Sequence, residues 1–91
     1  MYSKRTTIIN ETGIHARPAG AFAQTAKKFA CSVTVQNVSN AKGTAVNAKS
    51  LIRIMSEELT KGSVIEISAN GEGEREAVEA LIKLVDSGFH E

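Results

Sequence analysis

Ninety-one residues with a hydrophobic fraction of 42% fit one small globule, because a chain this short buries only part of its unfolded surface and cannot divide that between two cores. A single domain spanning 1–91 is therefore expected, and the sequence holds no apolar run near the roughly 20 residues needed to cross a bilayer. The net charge of +1 comes from 11 basic and 10 acidic side chains without a long run of either sign; with 4% aromatic residues and no Trp, this argues against nucleic acid as the main partner.

In chain order, Tyr2 to Ile9 reads as a first strand that ends at the turn formers Asn10-Glu11-Thr12-Gly13, although its alternation is weak. The opening residues lack the apolar core and cleavage site of a secretory signal, so a cytoplasmic location is expected, and the lone Cys31 reads as a small packing thiol. From Ala16 to Phe29, apolar Ala19, Phe22, Ala23, Ala26 and Phe29 recur at helical spacing, and Pro18 fits only a first turn, where its missing N–H costs nothing. Ser32 to Gln36 and Thr44 to Asn47 form a predicted strand pair. Ser50 caps a second predicted helix whose apolar positions are Leu51, Ile54, Met55 and Leu59, with Ile54 and Met55 turned inward and Lys61-Gly62 closing it. Ser63 to Ala69 alternates as a strand, and Glu74 to Val85 follows as a helix with acids in its first turn and Gly88 past its end.

The order β-α-β-β-α-β-α points to an α+β fold: a two-layer open-faced sandwich of a four-stranded antiparallel sheet with three helices on one face. The Thr, Ser, Gln and Lys residues along the strands suit a second face left in water.

One constellation carries chemistry. Gly13-Ile14-His15-Ala16-Arg17-Pro18-Ala19 puts a histidine at the last position before a helix, an arginine two residues on, and a proline in the first turn. The first-turn N–H groups of Ala16 and Arg17 and the positive end of the helix dipole converge on that position, and a guanidinium offers phosphate a planar fork of donors. An imidazole at that position can serve as a nucleophile toward phosphorus through a ring nitrogen that carries no proton. An arginine at this end of a helix works against the dipole unless an anion is expected. His90, in the tail, reads as an ordinary surface histidine. Gly71-Glu72-Gly73-Glu74 matches a dinucleotide fingerprint only in part: Glu76 stands where the third glycine belongs, and the acids would repel a pyrophosphate. With neither a phosphate-cradling glycine loop nor a carboxylate cluster for magnesium, no nucleotide, metal or other cofactor is expected, and the chain reads as a substrate of enzymes rather than as one.

Gly13 to Ala19 followed by an amphipathic helix resembles the phosphorylation site of the HPr family, the histidine-containing carriers of the bacterial phosphoenolpyruvate:sugar phosphotransferase system. The resemblance continues through Val46-Asn47-Ala48-Lys49-Ser50-Leu51-Ile52, Lys61-Gly62 and Ile67-Ser68-Ala69-Asn70-Gly71. It implies that His15 takes a phosphoryl group on Nδ1 from enzyme I and yields it to enzyme IIA domains, with Arg17 and the Ala16 amide stabilising the phosphate. It implies a partner-facing surface of Gly20, Gln24 and Lys27 on the first helix with Leu51, Ile52, Arg53 and Met55 on the second. It further implies that Ser50 is a regulatory position, modified by HPr kinase/phosphorylase and read by a catabolite-control transcription factor. A nitrogen-type carrier paralogue and a purely regulatory module acting through phosphorylated Ser50 stay open as alternatives. Two features depart from the family: the connection around Val38-Ser39-Asn40-Ala41 is several residues longer, and Glu57-Glu58 stands where a glycine commonly closes the second helix.

Overall fold

The computed structural model describes residues 1–90; the His90 side chain, with the reading made of it above, and Glu91 lie outside the described residues. The elements run β1 (Tyr2–Thr7), α1 (Ala16–Lys27), β2 (Ser32–Asn37), β3 (Val46–Asn47), α2 (Leu51–Ser56), β4 (Val64–Asn70) and α3 (Glu74–Asp86), with a short helical turn at Gly88–His90. The strands form one antiparallel sheet in the order β1-β4-β2-β3, giving the α+β architecture expected from the element order.

Register explains the two faces. Val33, Val35, Ile65, Ile67 and Ala69 lie on the inner face and share a core with Phe22 and Ala26 of α1, Ile54 of α2, and Val78, Leu81 and Val85 of α3. One residue out of phase, Ser68 stands opposite Ser3 and Thr34, and Glu66 opposite Arg5 and Gln36, so the outer face is polar. Ser3 donates to Ser68 Oγ at 2.8 Å and Arg5 Nε to Glu66 Oε2 at 3.1 Å across that face.

The weak alternation of β1 has a physical cause. Its inward positions meet the polar flank of α3: the Tyr2 hydroxyl donates to Glu79 Oε2 at 2.5 Å, Lys4 Nζ lies 2.8 Å from the same oxygen, and the Thr6 hydroxyl donates to Asp86. An inward lysine on an edge strand also discourages pairing with another chain. The strand ends at Thr7, where Ile8 is buried in the core and Ile9 turns outward, half exposed.

The second helix departs most from expectation. It runs only from Leu51 to Ser56; the chain leaves it at Glu57 and takes a left-handed turn at Glu58, φ 56°. Leu59 therefore reaches the core from the connection that follows, and Lys61-Gly62 belongs to that connection rather than to the helix end. A helix this short turns one narrow stripe inward, and Ile54 fills it; Met55, expected inside, is 46% exposed. β3 is also shorter than expected, because the Thr44 amide donates to Glu57 Oε2 at 2.8 Å instead of joining the sheet.

Two outcomes are expected. Replacing Glu58 by glycine, which adopts a left-handed backbone without a Cβ penalty, should raise the unfolding free energy by about 1 kcal/mol in urea titrations. The second concerns pH. Lys4 and then Tyr2 hold the Glu79 carboxyl below its ordinary value, and the Gly71 amide followed by the N-terminal ammonium does the same for Glu74. Carboxyls whose folded pKa is depressed stabilise above the unfolded value near about 4.3 and lose that contribution as pH falls through the folded value. Amide exchange should therefore show the β1–α3 edge loosening before the β2–β4 pair between about pH 5 and pH 3.

Candidate functional site

Backbone ties fix the approach to α1. Asn10 is buried; its Nδ2 donates to the Gly13 carbonyl at 2.5 Å, and the Gly13 amide donates back to the Asn10 carbonyl at 3.0 Å, closing the turn. Gly13 adopts φ +67°, and a Cβ there would sit 2.7 Å from the Leu59 carbonyl oxygen, so only glycine fits. Ile14 then buries its side chain and donates its amide to that same carbonyl at 2.7 Å. The connection between α2 and β4 is thus the anvil against which the residue before His15 is set.

His15 is the N-cap of α1, with extended backbone (φ −97°, ψ −163°) and a carbonyl that accepts the Ala19 amide at 2.8 Å. Its ring is exposed and makes no capping bond to the helix amides. The first-turn amides of Ala16 and Arg17 have no acceptor within the helix, Pro18 has no N–H to satisfy, and no acidic residue occupies the first turn. The positive end of the helix is therefore left without an internal counter-charge, beside a solvent-facing imidazole and the exposed Arg17. Such an arrangement is suited to a nitrogen nucleophile whose product is an anion.

Ser50 sits where the sequence places it, as the N-cap of α2, half-buried, with Oγ accepting the Arg53 amide at 3.3 Å. α2 packs against α1. Leu51, Ile52 and Met55 are 41%, 81% and 46% exposed, leaving an uncovered apolar patch. Arg53, Gln24 and Lys27 are exposed, and Gly20, half-buried, has open space where its Cβ would lie.

Two features escaped the sequence reading. From Thr12 to Ser56 the chain carries Arg17, Lys27, Lys28, Lys42, Lys49 and Arg53 but no acid, so a near-zero net charge conceals a cationic α1–α2 half; plotting charge by segment would have revealed it. In sequence Glu57 stands out only as a departure from the family, yet it is buried and accepts the amides of Asn37, at 2.9 Å, and Thr44. The signal was a long connection whose amides had no strand to pair with and so needed an acceptor.

Among the described residues no helix is long and apolar enough to cross a membrane, and no cluster of three or more His, Cys, Asp or Glu gathers as a metal site.

Comparison with known proteins gives a uniform result. The family model described as "PTS HPr component phosphorylation site" matches residues 2–87. The phosphocarrier protein HPr of Haemophilus influenzae is 42% identical over 85 residues, covering 93% of this chain and 95% of the relative. A multiphosphoryl transfer protein of the same organism is 38% identical over 85 residues, 93% of this chain but 17% of that longer protein. The crystal structure of HPr-C-His from Thermoanaerobacter tengcongensis superposes with a TM-score of 0.90 at 43% identity, covering 100% of this chain and 98% of that one.

Gly13→Ala tests the anchoring. The forced left-handed backbone and the collision with the Leu59 carbonyl should together cost more than about 2 kcal/mol in urea unfolding. Exchange of the Ile14 amide should accelerate ahead of amides in β2 and β4.

Proposed function

The chain belongs to the HPr family of phosphocarrier proteins, and from that premise we propose that His15 is its phosphoryl acceptor. In this reading the carrier works in the cytoplasm as one unit over residues 1–91, taking the group from phosphorylated enzyme I and passing it to enzyme IIA domains in phosphoenolpyruvate-dependent sugar uptake. The observation that carries the reading is the exposed imidazole at a helix N-terminus whose first turn holds an arginine and no acid.

The chemistry follows from that placement. The Nδ1 lone pair attacks phosphorus in line while the bond from phosphorus to its donor atom on enzyme I breaks and the electron pair leaves with that atom, and the proton stays on Nε2; transfer onward reverses these roles at the next acceptor. The Ala16 and Arg17 amides and the Arg17 guanidinium meet the charge on the transferring group. A carrier must also release its cargo. One exposed guanidinium and two amides, open to solvent, hold phosphate far less tightly than an enclosed site would. The partner surface proposed is the exposed patch of Leu51, Ile52 and Met55 with Gly20, Gln24, Lys27 and Arg53, whose positive charge favours partners with acidic surfaces. The likeness to a multiphosphoryl transfer protein supports partners of the same system.

Ser50 supports a second, regulatory role. Phosphate added there by an HPr kinase/phosphorylase would sit beside exposed Leu51 and Ile52 and place negative charge on a cationic surface, weakening acidic partners and offering a catabolite-control transcription factor a new feature to read.

Incubation with enzyme I and phosphoenolpyruvate should add one acid-labile phosphoryl group, absent in His15→Ala. Arg17→Ala should slow transfer on the order of 10-fold to 100-fold while leaving the fold intact. If that incubation adds nothing, and a second one with HPr kinase/phosphorylase and ATP adds only acid-stable phosphate that is lost in Ser50→Ala, the regulatory module is favoured over the carrier.

A further inference from the structure

Glu57 takes no part in the chemistry proposed for His15, yet it is only 6% exposed. A single oxygen, Oε2, accepts the Asn37 amide at 2.9 Å and the Thr44 amide at 2.8 Å, and so staples both ends of the long connection between β2 and β3 to the end of α2. The connection is shaped around it. A Cβ on Gly43 would lie 2.1 Å from the Asn37 carbonyl oxygen and 3.0 Å from Glu57 Oε2, so the connection closes this tightly on Asn37 and the carboxylate only with glycine at 43.

The residues that follow lead to the phosphoryl site. Glu57 caps α2, its amide donating to the Ile54 carbonyl at 3.2 Å. Glu58 holds φ 56°, a left-handed backbone that a non-glycine residue keeps only when its surroundings impose it. Its carbonyl is gripped by Asn37 Nδ2 at 3.2 Å. Leu59 comes next, and its carbonyl is the acceptor of the Ile14 amide. Asn37 is held by the carboxylate through its own amide, so the grip on Glu58 and the staple are one assembly.

We infer that Glu57 is a positioning residue for phosphoryl transfer: by holding Asn37 and the left-handed turn at Glu58, it fixes the Leu59 carbonyl that seats Ile14 and the His15 N-cap. The inference rests on the reading of His15 as the acceptor. Without the staple, Glu58 relaxes toward its ordinary backbone, the Leu59 carbonyl rotates away, and His15 loses register with the amides that receive the phosphate. A displacement of about 1 Å at a reacting atom costs up to about 100-fold in rate.

The test compares wild type, Glu57→Gln, Glu57→Ala and the double variant Glu57→Ala/Glu58→Gly. Amide exchange at Asn37, Thr44 and Ile14 is read beside the kinetics of phosphorylation by enzyme I. Glu57→Ala should deprotect all three amides together and lower kcat at least several-fold with KM for the carrier little changed. Glu57→Gln keeps an acceptor oxygen but loses the charge, and should show the same pattern weakly, which serves should the alanine variant not fold. Glycine at 58 takes the left-handed turn unaided, so the double variant should recover Ile14 protection and kcat while Thr44 stays deprotected.

Loss of protection at Thr44 and Asn37 with Ile14 and kcat unchanged would overturn the inference, as would a double variant that recovers neither. A rise in KM at constant kcat would also overturn it, assigning the connection to docking instead. If wild type itself accepts no phosphate from enzyme I, the carrier reading falls, while the exchange data still decide whether Glu57 seats Ile14.

Discussion

The hydrogen bond from the Ile14 amide to the Leu59 carbonyl, 2.7 Å long, joins the loop that precedes α1 to the connection that follows α2. Other features of the site inherit their positions from it. Gly13 must be glycine because that carbonyl passes so close, Ile14 is buried because its amide is drawn inward, and His15 begins the helix because Ile14 is held. A carrier presents its acceptor to several partners in succession, so its acceptor must be exposed, and an exposed residue is set accurately only by rigid neighbours. Here the rigidity comes from backbone bonds one residue away, while the imidazole itself stays exposed and makes no capping bond to the helix amides.

The electrostatics follow the same division of labour. The helix end supplies partial positive charge fixed by the backbone, and Arg17 supplies a full charge on a flexible stem. Neither is buried, so both act in a strongly screening medium. In such a setting neither charge grips an anion as tightly as it would in an enclosed site. The concentration of basic residues from Arg17 to Arg53 extends that field over the surface around α1 and α2, where Leu51, Ile52 and Met55 offer apolar contact. Charge at long range and apolar area at short range suit partners that must meet often and part quickly.

Much of this was legible in the residues. Ser63 to Ala69 alternates because β4 lies between two strands with one face in the core, and α3 announces itself because acids, an apolar stripe and Gly88 agree on its limits. Pro18 and Ser50 mark helix starts through local chemistry that needs no tertiary partner. What could not be read was non-local. Leu51, Ile54, Met55 and Leu59 fit a helical spacing, but the helix stops at Ser56 because Glu57 turns inward to amides of a connection far behind it in the chain. The same contact shortens β3, and β1 alternates poorly because its inward face meets charged α3 rather than apolar core.

The claim at the centre is that the amides at the mouth of α1 receive the phosphate carried by His15. Amide proton shifts in nitrogen-15-labelled protein, recorded before and after phosphorylation by enzyme I, test it most directly. The Ala16 and Arg17 amides should move strongly downfield as they bond to the phosphoryl oxygens, with amides of the polar sheet face unmoved. Phosphorylation that leaves those two amides in place while shifts gather elsewhere would contradict it.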